Sequence, residues 1–194
     1  MIDSERIKYL QNRIACDDDQ YAYKALFTEL YAYLYQFAFS YVKSKPLAEE
    51  ILSDIFIKIW ERRKDLDKID NLKVYLYVAT RNTALNYSAK QKRNNESAID
   101  ESIGEIKSLY LDPEQLMITA EMMIRIQSAI NALPPKCKLV FKLVKEDGLK
   151  YREVAEIMNI SLKTVENQLA IALRKIGIAV DFDIKKTIPV SAKP

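Results

Sequence analysis

At 194 residues, with 49% apolar and 29% charged side chains, the chain is long enough to build one or two packed domains. Only three glycines and little strand-type alternation point to an all-α fold. The net charge of +3 is mildly basic, and histidine is absent, which removes the commonest general base and the commonest metal ligand. Cys16 and Cys137 form no CxxC pair and suit two reduced thiols. The first residues lack the apolar core of a signal peptide, and no apolar run approaches the ~20 residues of a membrane helix. A soluble, cytoplasmic chain with no membrane insertion is expected.

In chain order, a short helical pattern covers about residues 4–15, and a tyrosine-rich one covers about 20–42. Ser44, Lys45 and Pro46 break it, and Pro46 suits the start of a third helix over about 47–63. At 100° per residue this third helix puts Ile51, Leu52, Ile55, Phe56, Ile59 and Trp60 on one side. Glu50, Ser53, Asp54 and Glu61 fall opposite, with Ile57 in the middle of the acidic side. One apolar anchor ringed by carboxylates suits a basic and partly apolar protein groove. A lone exposed isoleucine is also common by accident. These carboxylates have no histidine, Gly-rich loop or second acidic cluster beside them, so neither a catalytic nor a metal site is assigned.

A charged loop, KDLDKID, leads into a fourth helix over about 71–92. Every charged residue from 71 to 93 is positive: Lys73, Arg81, Lys90, Lys92 and Arg93. Leu72, Tyr75, Leu76 and Ala79 form an apolar side, and Lys73, Tyr77, Thr80, Tyr87, Ser88 and Gln91 fall along another. Cations that neutralise phosphate, interleaved with rings that stack on bases, suit single-stranded nucleic acid. A core helix with a solvated basic end would carry the same pattern.

Residues 94–113 change character, with Ser97, Ser102, Gly104 and Ser108 among Glu96, Asp100, Glu101, Glu105 and Asp112. They read as a flexible acidic linker, dividing a first domain (1–93) from a second (114–177). Helices follow over about 114–132 and 136–145, separated by Leu133, Pro134 and Pro135. Next comes DGLKYREVAEIMNISLKTVENQLAIALRK: a helix over about 151–158, a turn at Asn159, an N-cap at Ser161 and a longer helix from about Leu162. This is the pattern of a helix-turn-helix, whose second helix enters the DNA major groove. The tail, 178–194, shows no clear pattern.

Together these segments resemble bacterial RNA polymerase sigma factors of the sigma-70 family, in the small two-domain extracytoplasmic-function (ECF) group. FTELYAYLYQFAFSYVKSKPLAEEILSDIFIKIW is similar to the opening of the family's region 2. NLKVYLYVATRNTALNYSAKQKR is similar to its promoter-melting, −10-reading helix, and LPPKCKLVFKLVKEDGLKYREVAEIMNISLKTVENQLAIALRKI to region 4. The resemblance implies that Glu49, Glu50, Asp54 and Ile57 bind the β′ clamp helices of core RNA polymerase, with the β flap a second contact. It implies that the loop 64–70 helps to capture an unstacked base. It assigns −10 DNA to the fourth helix, with Lys73, Tyr77, Asn86, Tyr87, Lys90 and Arg93 as the candidate residues. It assigns −35 DNA to the helix-turn-helix, with Lys150, Arg152, Ser161, Lys163, Thr164, Glu166 and Asn167. Promoter DNA and an anti-sigma factor are the implied partners, with no cofactor and no enzymatic step. The runner-up is a helix-turn-helix regulator that works without joining the polymerase, although the N-terminal half lacks the βα alternation of a receiver.

Overall fold

A computed structural model of the chain describes residues 4–94 and 116–187, with side chains within 4–90 and 122–179. Among these residues there is no strand. The N-terminal half holds α1 (Ser4–Asp17), α2 (Gln20–Val42), α3 (Lys45–Glu61), a 3-10 segment (Arg63–Lys68) and α4 (Leu72–Asn94). The C-terminal half holds α5 (Leu116–Asn131), α6 (Pro135–Lys145), α7 (Tyr151–Met158) and α8 (Leu162–Thr187). Most of the stretch read as an acidic linker, 95–113, lies outside the described residues.

Local chemistry sets the element ends. The Asp19 carboxylate accepts from the amides of Tyr21 (2.9 Å) and Ala22 (3.1 Å), closing the first turn of α2. Lys43 ends that helix in the left-handed region at φ 52°, and Ser44, extended, with Pro46 behind it, opens α3. Leu26, Leu30, Leu34, Phe37 and Ala38 bury the inner stripe of α2 against Ile51, Leu52, Ile55, Phe56 and Ile59 of α3. The Tyr23 hydroxyl donates to the Phe56 carbonyl at 2.7 Å and fixes the pairing of the two helices. α1 covers the 3-10 segment with Ile7, Leu10 and Ile14, and Leu66 is buried in the same core.

The two halves are not separate globules. Val140, Leu143, Leu149, Val154, Ile157, Val165 and Leu169 belong to one apolar core with the helices of the N-terminal half. α7 packs on α4, a contact between apolar faces that the chain order alone did not reveal. A smaller cluster, Leu133, Cys137 and Ala172, ties α6 to α8. The pattern was expected to end near Gly177, but α8 runs on to Thr187. A Cβ at Gly177 would meet nothing within 4 Å, so the glycine sits in open space and does not stop the helix.

Candidate nucleic-acid and polymerase interface

The helix-turn-helix is built as its sequence predicts. Asn159 takes the left-handed conformation (φ 54°, ψ 53°) and ends α7. The Ser161 Oγ accepts from the Thr164 amide at 3.0 Å, which makes Ser161 the cap of α8. Its hydroxyl also shares a hydrogen bond with the Thr164 Oγ1 at 2.8 Å. Val165, Leu169 and Ala172 face inward, while Ser161, Lys163 and Asn167 are exposed and Thr164 and Glu166 half-buried. Lys163 pairs with Glu166 at 3.3 Å across one turn. Lys150 and Arg152, both exposed, stand at the start of α7. Five of the −35 candidates, Lys150, Arg152, Ser161, Lys163 and Asn167, are thus exposed, and Thr164 and Glu166 are half-buried.

On α3 the angular reading holds. Ile57 is 54% exposed, the largest apolar exposure on that helix, and Glu49 and Glu50 are exposed around it. Asp54 is half-buried and accepts from Tyr87 of α4. The Tyr87 hydroxyl lies 3.1 Å from Glu50 Oε1 and 3.3 Å from Asp54 Oδ2. Partial burial, then the hydrogen bond to Glu50, pushes the Tyr87 phenol up to about 12. One proton thus serves two carboxylates, and the acidic face of α3 meets the basic helix α4 at this ring. Lys90 lies 6.0 Å above the same ring. Asn86 and Lys90 are exposed, and the Arg93 side chain lies outside the described residues.

Lys73 and Tyr77 depart from expectation. Both were assigned to a DNA-facing surface, yet Tyr77 is fully buried and Lys73 is 5% exposed. The Tyr77 hydroxyl donates to Asp147 Oδ2 at 2.7 Å, and the Lys73 ammonium donates to the Asp147 carbonyl, also at 2.7 Å. Phe37 packs edge-on against the Tyr77 ring at 5.1 Å. The angular reading grouped Lys73, Tyr77 and Thr80 correctly, but α2 and the α6–α7 turn cover that face. In this arrangement neither Lys73 nor Tyr77 can reach DNA.

Asp147 was not singled out from the sequence as a functional residue, and it is buried at this junction. Burial pushes its carboxyl up to about 6, with Tyr77, Lys142 and Lys73 pulling the other way. Its second oxygen, Oδ1, is buried without a partner. Burial holds the Tyr77 phenol protonated and lowers the Lys73 ammonium. A second bridge joins the halves nearby. Asn71 caps α4, its Oδ1 accepting from the Val74 amide at 3.1 Å, and its Nδ2 donates to Glu153 Oε1 at 2.9 Å. The other Glu153 oxygen accepts from the Lys150 amide at 2.7 Å, at the start of α7.

Residues 26–94 match the family model for Sigma-70 region 2, and residues 123–176 match the model for Sigma-70 region 4. The chain belongs to the sigma-70 family. Its ECF relatives include the ECF RNA polymerase sigma-E factor of Escherichia coli strain K12, 30% identical over 128 residues. That match spans 62% of this chain and 66% of the relative, just under two thirds of its length. Two solved structures share the sigma-type fold. One is the sigma factor RpoE of Bartonella quintana, in complex with the anti-sigma factor NepR (TM-score 0.59, 20% identity, 82% of this chain and 97% of that one). The other is CnrH in complex with the cytosolic domain of CnrY (TM-score 0.52, 20% identity, 93% of this chain and 99% of that one). In sigma-70 terms, region 2 spans most of α2, α3, the 3-10 segment and α4, and α1 lies before it. Region 4 takes in most of α5, all of α6 and α7, and α8 up to Ile176.

Proposed function

We propose that the chain is an ECF-type sigma factor that binds core RNA polymerase and directs initiation at promoters carrying −10 and −35 elements. The observation that carries this reading is the order of two modules on one chain: region 2 with an acidic, Ile57-centred face, then region 4 with an exposed helix-turn-helix. The α3 face, Glu49, Glu50, Asp54 and Ile57, docks on the polymerase clamp helices, and region 4 meets the flap. Asn86, Tyr87, Lys90 and Arg93 hold the melted −10 strand, and the loop 64–70 captures one unstacked base. Ser161, Lys163, Thr164, Glu166 and Asn167 read the −35 element, with Lys150 and Arg152 on its phosphates.

The factor performs no chemistry of its own. Binding energy for the open strand shifts the duplex equilibrium toward melting. Lys73 and Tyr77 hold region 4 against region 2, so simultaneous contact with both elements requires Asp147 to leave them. An anti-sigma factor is the proposed regulator, since one structural relative, the Bartonella quintana sigma factor RpoE, is seen with one. The factor acts in the cytoplasm, where the polymerase is. No described helix is long and apolar enough to cross a membrane.

Core polymerase supplemented with the purified chain should produce promoter-specific transcripts from a genomic template library. Sequence-specific DNA binding by the chain alone, with no effect on core polymerase, would favour an independent regulator and overturn the reading.

A further inference from the structure

The Gln11 amide is the only side chain among the buried polar groups of α1, and it faces the 3-10 segment. It is 1% exposed, and its Nε2 donates to two backbone carbonyls, that of Leu66 and that of Ile69, the latter at 2.7 Å. A primary amide nitrogen carries two hydrogens, so the two acceptors use both and fix its orientation. Asp18, just past α1, pairs with Arg63 at the start of the same segment. Leu66 itself is sunk into the core beside α1. The segment is therefore gripped at both ends from behind.

Its front forms a cavity of about 240 Å³, whose lining includes three cations, Lys58, Arg62 and Lys68, one carboxylate, Asp65, and the Tyr75 ring. At ~30 Å³ per water this is room for one nucleobase. Lysine and arginine cations at the rim suit a phosphate, although Lys68 also pairs with Asp65 at 2.6 Å. The Tyr75 ring, 43% exposed, offers a stacking face. Leu66 and Ile69, whose carbonyls Gln11 holds, are two of the residues that shape this cavity. The helix that supplies the amide precedes the region-2 match, which begins at residue 26.

We propose that Gln11 is a positioning residue for base capture: α1 braces the 3-10 segment so that its cavity is preformed for one unstacked −10 nucleotide. This rests on the base-capture role given to the loop 64–70 above. A buried donor shared by two carbonyls holds a loop in one conformation, and a preformed loop binds a base without an ordering cost.

The test uses holoenzyme, core polymerase plus the full chain, on fork-junction DNA with a single-stranded −10 element. An abasic nucleotide replaces each −10 base in turn. For the wild-type chain, one position should lose about tenfold in affinity or more when its base is removed, the scale of one stacked base. In Gln11→Leu, that loss should shrink to about twofold or less. Losses at the other positions, binding to core polymerase and binding to −35 duplex should stay as in wild type. A merely structural role would weaken all substrates alike and leave the position-specific loss in place, and that result overturns the proposal. If Gln11→Leu does not fold, Asp18→Asn, which weakens the other grip at the surface, should reduce the same loss at least threefold. Its full retention overturns the brace. If no position in the wild-type chain depends on its base, the base-capture reading fails first, and is thereby distinguished from a failure of Gln11.

Discussion

Ser161 caps α8 and is also proposed to read the −35 element, and substitution separates these roles. Ser161→Ala removes the acceptor for the Thr164 amide and should cost about 1 kcal/mol of stability, read from chemical denaturation. Ser161→Asp keeps a good cap but turns a carboxylate toward the phosphates. It should hold stability and weaken −35 binding at every sequence. Asn167 is exposed and supports nothing in the fold. Asn167→Ala should change discrimination at one −35 base pair by about 1–3 kcal/mol, checked by binding to a set of singly substituted sites. Uniform weakening across the set would remove Asn167 from base reading. At this scale the caps were legible because they are local: Ser161 and Asn159 act within four residues of themselves. Asp147, Gln11 and Glu153 were not legible, because each meets partners 55 to 82 residues away. A polar residue at a core position of α1 was the available signal for Gln11, and DGL before a helix reads only as a turn.

Among the elements, α3 was read most fully from sequence. Its core stripe and its exposed Ile57 follow from the helical period alone, since one buried face leaves no freedom for the rest. The double substitution Asp54→Lys with Ile57→Ala should abolish co-elution with core polymerase while circular dichroism and thermal midpoint stay near wild type. Retained holoenzyme formation would rule out this face. α4 was legible in its charge but not in its exposure. Lys73 and Tyr77 share a helical side with Tyr87, and only the packing of α2 and the α6–α7 turn decides which end is covered. The C-terminal extension of α8 was missed because its pattern dissolves after Gly177, although nothing there breaks a helix. Tyr87→Phe should leave the fold intact, since its hydroxyl serves only surface carboxylates, and should raise the affinity of the acidic face for a cationic partner.

At the scale of the whole molecule, the all-α class and the order of the modules were legible from composition and period. Their docking was not, since sequence fixes which face is apolar but not what covers it. Asp147 at the junction provides a pH handle. Packed, its carboxyl keeps a proton to about pH 6, whereas the exposed group releases it near its ordinary value of 3.8. Between these values the packed state binds more protons, so packing tightens as pH falls through 6 and loosens as pH rises past it. The denaturant midpoint of the wild-type chain should therefore gain, relative to Asp147→Asn, between about pH 7.5 and about pH 5. Parallel behaviour of the two proteins would mean that the carboxyl is not enclosed at the junction.

Glu153 and Asn71 each divide their two polar atoms between home and neighbour. One atom caps the residue's own helix, and the other reaches across the junction. Parting the halves would give up the Asn71–Glu153 bond, the Asp147 contacts and the shared apolar core, but the two helix caps lie each within its own half and would stay made. The junction is made like a snap fastener: each side has its own stitching, so the bond that joins the halves is not the one that holds either helix start.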